Sequence, residues 1–154
     1  MQDSMRDLAA GRVKAALILD DDVTESGKLR RLLDTLGYDA RVMTDANAAL
    51  DALHASAEPI AVFFDVEAYG ETLDGQGYTF LIGALLEDPE LARRHIYAII
   101  SSTADDVEWA LGKALDRLNA PVFSKPCAAT AVETYLALAR GRMIPPPPPE
   151  IATI

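Results

Sequence analysis

The chain has 154 residues, half of them hydrophobic and a quarter charged, which is the balance of one globular domain with a real core. Its 24 acidic residues against 14 basic ones give a net charge of −10, a sign that repels phosphate backbones and argues against nucleic-acid binding. One cysteine (Cys127) excludes an internal disulfide, two distant histidines (His54 and His95) give no zinc pattern, and short apolar runs such as Ala15–Leu19 fall far below the roughly 18 residues of a membrane-spanning helix.

Residues 1–12 are polar and mixed, and read as an N-terminal extension without the apolar stretch of a signal peptide. A cytoplasmic protein is therefore expected. Ala15 to Leu19 is a compact apolar run that stops at three acids, as a strand buried on both faces does. Leu29, Leu32, Leu33 and Leu36 repeat at helical spacing, with Gly37 where a helix-ending glycine belongs. Ala40 to Thr44 is a weak second strand, and Ala46, Ala49, Leu50 and Leu53 form a second helical stripe. Ile60 to Phe64 is the next buried strand and ends at Asp65.

A Gly-rich loop follows from Tyr69 to Gly77. Tyr78, Leu81, Ile82 and Leu85 predict a third helix, stopped near Pro89. Ile96 to Ile100 predicts a fourth strand, followed by Ser101-Ser102-Thr103. Val107, Leu111, Ala114, Leu115 and Leu118 predict a fourth helix, with Trp109 half-buried on it. Pro121 to Ser124 is a short fifth strand running into Lys125-Pro126. Val132, Tyr135, Leu136 and Ala139 predict a fifth helix, with Cys127 as a small residue of that helix. His54 and His95 read as surface residues at element ends. Residues 141–154, with five consecutive prolines from Pro145 to Pro149, read as an extended tail.

Strand and helix alternate five times, and the strands are of the buried type. The pattern predicts an α/β fold, a doubly wound five-stranded parallel sheet with helices on both faces, over residues 13–140. The working site of such a sheet lies at the carboxyl ends of its strands. Those ends carry Asp20-Asp21-Asp22, Asp65, Ser101-Ser102-Thr103 and Lys125-Pro126. Several carboxylates in one cleft need a counter-charge. Mg²⁺ is a natural one, since it takes carboxylate and phosphate oxygens together. With a lysine and a hydroxyl opposite, the set suits phosphoryl transfer to a carboxylate.

In these residues the sequence resembles the CheY-like response-regulator receiver domain. The resemblance rests on the acidic pair Asp20-Asp21, on Asp65, on a hydroxyl after the fourth strand, on Lys125-Pro126, and on Leu-Leu-Asp-Thr-Leu-Gly-Tyr at 32–38. It implies a flavodoxin-like sheet of strand order 2-1-3-4-5. It implies that Asp65 accepts a phosphoryl group from a phosphohistidine on a sensor histidine kinase or a histidine phosphotransfer protein. Asp20 and Asp21 would hold Mg²⁺, with Asp65 and the backbone carbonyl of Glu67 as further ligands. Lys125 would pair with the phosphoryl group, across a cis bond to Pro126. A hydroxyl after the fourth strand would move onto the phosphoryl oxygen and bias a surface around the fourth helix, fifth strand and fifth helix. The domain would act alone, as a self-phosphorylating and self-dephosphorylating switch and not as a turnover enzyme. A downstream protein or a second copy of the chain would be its partner; neither nucleic acid nor membrane is expected.

Three features depart from the family pattern. The run after the acceptor, Asp65 to Gly75, lacks a proline and is acidic, and its Asp-Gly comes late. Val122 stands where an aromatic is usual, three residues before Lys125, with Phe123 beside it. The hydroxyl is ambiguous: counting from Ile96 gives Ser102, counting back from Lys125 gives Thr103, and the end of the apolar run gives Ser101. Ser102 is the expectation.

Blander readings stand beside these. Asp22 or Thr24 serves equally well as a helix cap. A degenerate receiver would bind partners without phosphorylation. A haloacid-dehalogenase-type phosphatase would use Asp20 as nucleophile and Asp22 as acid, but it needs an acidic pair downstream of Lys125, where only Glu133 and Glu150 remain.

Overall fold

The computed structural model describes residues 15–68 and 78–143, with side chains through Ala139. The expected N-terminal extension, the Gly-rich loop and residues 144–154 of the expected tail lie outside the described residues, whereas residues 141–143, expected in the extended tail, are helical and continue the last helix. Five strands, β1 (Ala15–Leu19), β2 (Asp39–Met43), β3 (Ala61–Asp65), β4 (Ile96–Ser101) and β5 (Val122–Ser124), form one sheet. All neighbours are parallel, in the order β2-β1-β3-β4-β5. This is the doubly wound order expected from the sequence.

Helices α1 (Val23–Thr35), α2 (Ala46–Ala55), α3 (Phe80–Leu86), α4 (Pro89–Arg94), α5 (Ala104–Leu118) and α6 (Ala129–Met143) connect or flank the strands. Local chemistry sets their ends. Asp22 Oδ1 accepts from the backbone N–H groups of Thr24 and Glu25, both at 3.1 Å, and so starts α1. Gly37, at φ +90°, ends it: its N–H donates to Asp34 and that of Tyr38 to Leu33, a pairing that suits a residue without Cβ. Asp45 caps α2 in the manner of Asp22.

Alternate strand residues enter two cores, one on each face of the sheet, because successive side chains of a strand point opposite ways. Leu17, Leu19, Val62, Phe64, Tyr97 and Ile99 pack with Ala49 and Leu53 of α2, Leu81 and Leu85 of α3, and Val107 and Leu115 of α5. Ala16, Ile18, Phe63, Ala98 and Ile100 pack with Leu29 and Leu33 of α1 and Leu136 and Ala139 of α6.

Four further expectations are corrected. The third helix begins at Phe80, and a separate helix, α4, follows it. Pro89 opens α4, where its missing N–H costs nothing, and Asp88 caps it through the Leu91 N–H. His95 is buried: its Nδ1 accepts from the Ile60 N–H and its Nε2 donates to the Leu53 carbonyl, both at 2.9 Å. Burial holds this ring neutral by lowering its pKa. Trp109 is 68% exposed, because it lies outside the stripe of α5 that meets the sheet. Cys127 precedes α6 and is partly buried; burial, with Glu25 nearby, pushes its thiol up to about 11.

Candidate functional site

Sheet register brings the strand ends together. Leu19 pairs with Phe64, Asp65 with Ile100, and Ser101 with Ser124. Asp20, Asp65, Ser101 and Lys125 therefore meet at one edge of the sheet. The Lys125 N–H donates to the Ser101 carbonyl at 2.8 Å, which carries the β5 end onto the β4 end. The Lys125–Pro126 bond is cis.

Lys125 is the centre of the charge arrangement. Its Nζ lies 2.9 Å from Asp20 Oδ2, 2.9 Å from Asp65 Oδ1 and 3.9 Å from Glu67 Oε2. All four side chains are almost fully enclosed. The two close contacts are ion pairs off hydrogen-bond alignment, since neither Asp20 Oδ2 nor Asp65 Oδ1 has a hydrogen bond of good geometry. One ammonium facing three carboxylates leaves the cluster short of positive charge. Burial and the ion pairs with Asp20 and Asp65 set opposite pulls on Lys125, and the carboxylates prevail, so its pKa is raised.

Asp20, Asp21 and Asp65 place carboxylate oxygens within 4.8 Å of one another. Asp20 and Asp65 are buried and Asp21 is exposed. Buried oxygens without aligned donors, grouped with a third carboxylate open to water, fit a hard divalent cation. The donor set thus suits Mg²⁺, and a bound cation would supply the positive charge that Lys125 alone does not.

Glu67 takes a part that the sequence did not disclose. Its backbone carbonyl is the atom that the family resemblance singles out, yet its side chain turns into the cleft and meets all three candidate hydroxyls. Ser101 Oγ donates to Glu67 Oε1 at 3.2 Å, Ser102 Oγ at 2.7 Å and Thr103 Oγ1 at 3.0 Å. The Ser102 N–H donates to both carboxylate oxygens at 3.1 Å. The segment is closed onto β4 by its backbone: Val66 N–H donates to Ile100, and Ala68 N–H to Thr103 Oγ1. A carboxylate two residues after Asp65, opposite three consecutive hydroxyl residues, was the only sequence signal for this contact.

Asp65 and Glu67 are coupled, and their pKa values move in opposite directions. Burial first, and then the Glu67 carboxyl, pushes Asp65 up to about 8 against the pull of Lys125. Burial also acts on Glu67, but the influence of Asp65 and the hydrogen bonds from Ser102 and Thr103 outweigh it and bring Glu67 to about 2. The geometry agrees: Glu67 collects the aligned donors, and Asp65 has few.

The structure thus brings Asp20, Asp21, Asp65, Lys125 and the Ser101–Thr103 run to one cleft. It does not select one hydroxyl. Ser101 is buried at the end of β4, just beyond the partner of Asp65, whereas Ser102 is exposed but makes the shortest contact to Glu67. Asp22 is occupied in capping α1. Val122 and Phe123 are both partly buried, and the Phe123 ring packs edge-on against Tyr135 at 5.7 Å.

No protein-family model and no curated protein matches the chain. Solved structures do. A response regulator receiver domain (CheY-like) from Methylobacillus flagellatus is 23% identical with a TM-score of 0.60, over 80% of this chain and 96% of that one. A sensor protein from Polaromonas sp. JS666 is 22% identical with a TM-score of 0.65, over 84% and 98%. The signal receiver domain of a modulated diguanylate cyclase from Desulfovibrio desulfuricans G20 is 20% identical with a TM-score of 0.63, over 85% and 96%. The chain has the fold of CheY-like response-regulator receiver domains.

Proposed function

We propose that this chain is a receiver of two-component signalling, in which Asp65 accepts a phosphoryl group from a phosphohistidine on a sensor histidine kinase or histidine phosphotransfer protein. The observation that carries this is the position of Lys125, 2.9 Å from both Asp20 and Asp65, across from three hydroxyls on a receiver fold. Asp20, Asp21 and Asp65 hold Mg²⁺ in this reading, with the backbone carbonyl of Glu67. A bound Mg²⁺ supplies positive charge that favours ionised Asp65 and offsets the charge of the phosphoryl oxygens.

The chemistry asks a definite sequence of the residues. Asp65, raised to about 8, must give up its proton to act as nucleophile. The Lys125 ammonium favours that ionisation. An Asp65 oxygen then forms a P–O bond as the donor's P–N bond breaks, and the leaving imidazole takes up a proton. Lys125 and the hydroxyls receive the phosphoryl oxygens. One hydroxyl then draws the turn after β4 inward and biases the α5–β5–α6 surface. Ser101 is supported by its buried place beside the Asp65 register, Ser102 by its close approach. The chain turns over only its own phosphoryl group. A cytoplasmic location goes with kinase partners; among the described residues no helix is long and apolar enough to cross a membrane. A downstream protein or a second copy reads the changed surface.

A labelled phosphoryl group on a histidine kinase should pass to the wild-type chain in the presence of Mg²⁺, and not to Asp65→Asn. Equal labelling of both forms would end the assignment of Asp65. One observation favours a second reading, a phosphorylation-independent binding module: the hydroxyls already hold an anion, the Glu67 carboxylate. Failure to accept label from any of a panel of kinases, with a partner still bound, would select it. The phosphatase reading has less support, because Asp22, its acid, spends Oδ1 on the cap of α1.

A further inference from the structure

The carboxylate of Glu67 faces the hydroxyl run and collects the hydroxyls of Ser101, Ser102 and Thr103 and the Ser102 N–H. It shares Lys125 with Asp65: the ammonium lies 3.9 Å from Glu67 Oε2 and 2.9 Å from Asp65 Oδ1. This is the donor set that a phosphoryl group on Asp65 would need: charge-assisted hydroxyl and N–H donors on one side and an ammonium near by. Glu67 is 6% exposed, so the arrangement is enclosed and not a surface contact. Donors and anion are also on short tethers. Glu67 lies two residues from Asp65, and the three donors are consecutive.

Resting on the receiver reading, we infer that the Glu67 carboxylate is an internal occupant of the phosphoryl-oxygen site. It holds the Ser101–Thr103 segment in its anion-bound arrangement before any phosphoryl group arrives, and it must be displaced for one to enter. Two consequences follow from the geometry. Phosphoryl uptake is slow in the wild type, because the site must first be vacated. On phosphorylation the donors of the turn after β4 exchange one anion for another, so the inward draw of that turn starts from a Glu67-bound arrangement and not from a free one.

The test compares wild type, Glu67→Gln and Glu67→Ala as full chains, each checked for cooperative thermal unfolding. Gln keeps the size and one acceptor oxygen but removes the charge, so it tests the inference even where Ala loosens the fold. Uptake from acetyl phosphate with Mg²⁺ is followed by intact mass, and the backbone amides of Ser102 and Thr103 by NMR. We expect at least tenfold faster uptake in Glu67→Gln. We also expect displaced Ser102 and Thr103 amides in Glu67→Ala that return toward wild-type positions on adding Mg²⁺ and beryllofluoride, a phosphoryl mimic. Uptake equal to or slower than wild type in both variants would overturn the inference. Should no form take up a phosphoryl group, the receiver reading fails by itself, and beryllofluoride still decides: at least tenfold tighter binding to Glu67→Ala upholds the internal occupant, and unchanged binding overturns it.

Discussion

Ser102 grips Glu67 twice, through its hydroxyl at 2.7 Å and through a backbone N–H that donates to both carboxylate oxygens at 3.1 Å. This pair joins the β3 end to the β4 end across the cleft. It also favours negative charge on Glu67, whose pKa these donors lower, over Asp65, whose pKa is raised. The hydrogen bonds from Ser102 and Thr103 help to hold Glu67 at about 2. Ser102→Ala should therefore raise the Glu67 pKa measurably and lower that of Asp65. Carboxyl-carbon NMR titration of the two side chains would read both, and unmoved values would show that the contact does not set the charge.

Stability should depend on pH through the same pair. Asp65 is raised from 3.8 to about 8, so the folded chain keeps a proton there that the unfolded chain releases. That contribution is fully present below about pH 4 and is lost as pH rises through 8. Glu67 is lowered from 4.5 to about 2, so its contribution is present above about pH 4.5 and is lost as pH falls through 2. Between those limits Asp65 dominates. Asp65→Asn should stabilise the cation-free protein by about 1–3 kcal/mol at pH 8, and by less at pH 5. Denaturant unfolding at the two pH values measures the difference; a larger gain at pH 5 would contradict it.

Removing Lys125 should be costly. Lys125→Met leaves Asp20, Asp65 and Glu67 enclosed with no cation beside them, and breaking one side of a buried ion pair costs about 3–5 kcal/mol. The loss should be greater at pH 8 than at pH 5, where Asp65 is neutral. Thermal unfolding in chelator at both pH values tests the sign.

Divalent cation should oppose the carboxylate repulsion. Mg²⁺ should raise the unfolding temperature at pH 8, by mass action on the folded form. Asp21 is exposed, so Asp21→Asn should weaken Mg²⁺ binding about tenfold, the order of one lost charge-assisted ligand, and lower the rise in unfolding temperature accordingly, while leaving cation-free stability nearly unchanged. A Mg²⁺ response unaffected by Asp21→Asn would remove Asp21 from the ligand set.

His95 belongs to the opposite edge of the sheet and should separate folding from chemistry. His95→Ala strands the Ile60 N–H and the Leu53 carbonyl in a buried place, at a cost of about 2–4 kcal/mol. Phosphoryl uptake at a temperature where the variant is still folded should match wild type.

The fold was legible because each link was local. Apolar runs of strand length, helical leucine spacing, Asp22 and Gly37 at helix ends, and acids at strand ends need only the residues on either side. Strand-end logic then gathered Asp20, Asp65 and Lys125, because a parallel sheet aligns its carboxyl ends. What stayed hidden depends on residues far apart in the chain. Burial of His95 needs Leu53 and Ile60, 42 and 35 positions away. The exposure of Trp109 depends on which stripe of α5 meets the sheet. The turn of Glu67 toward Ser101, Ser102 and Thr103 needs partners 34 to 36 positions on, and no local rule chooses side chain over backbone for its role. The break between α3 and α4 was marked by Pro89, but a stop signal was visible there and a new start was not.

The most direct measurement is intact mass after incubation with Mg²⁺ and acetyl phosphate, for wild type and Asp65→Asn, with and without EDTA. Phosphoryl transfer to Asp65 predicts one adduct on the wild type, absent from Asp65→Asn and abolished by EDTA. An adduct that persists in Asp65→Asn, or one that maps to Asp20, would contradict it.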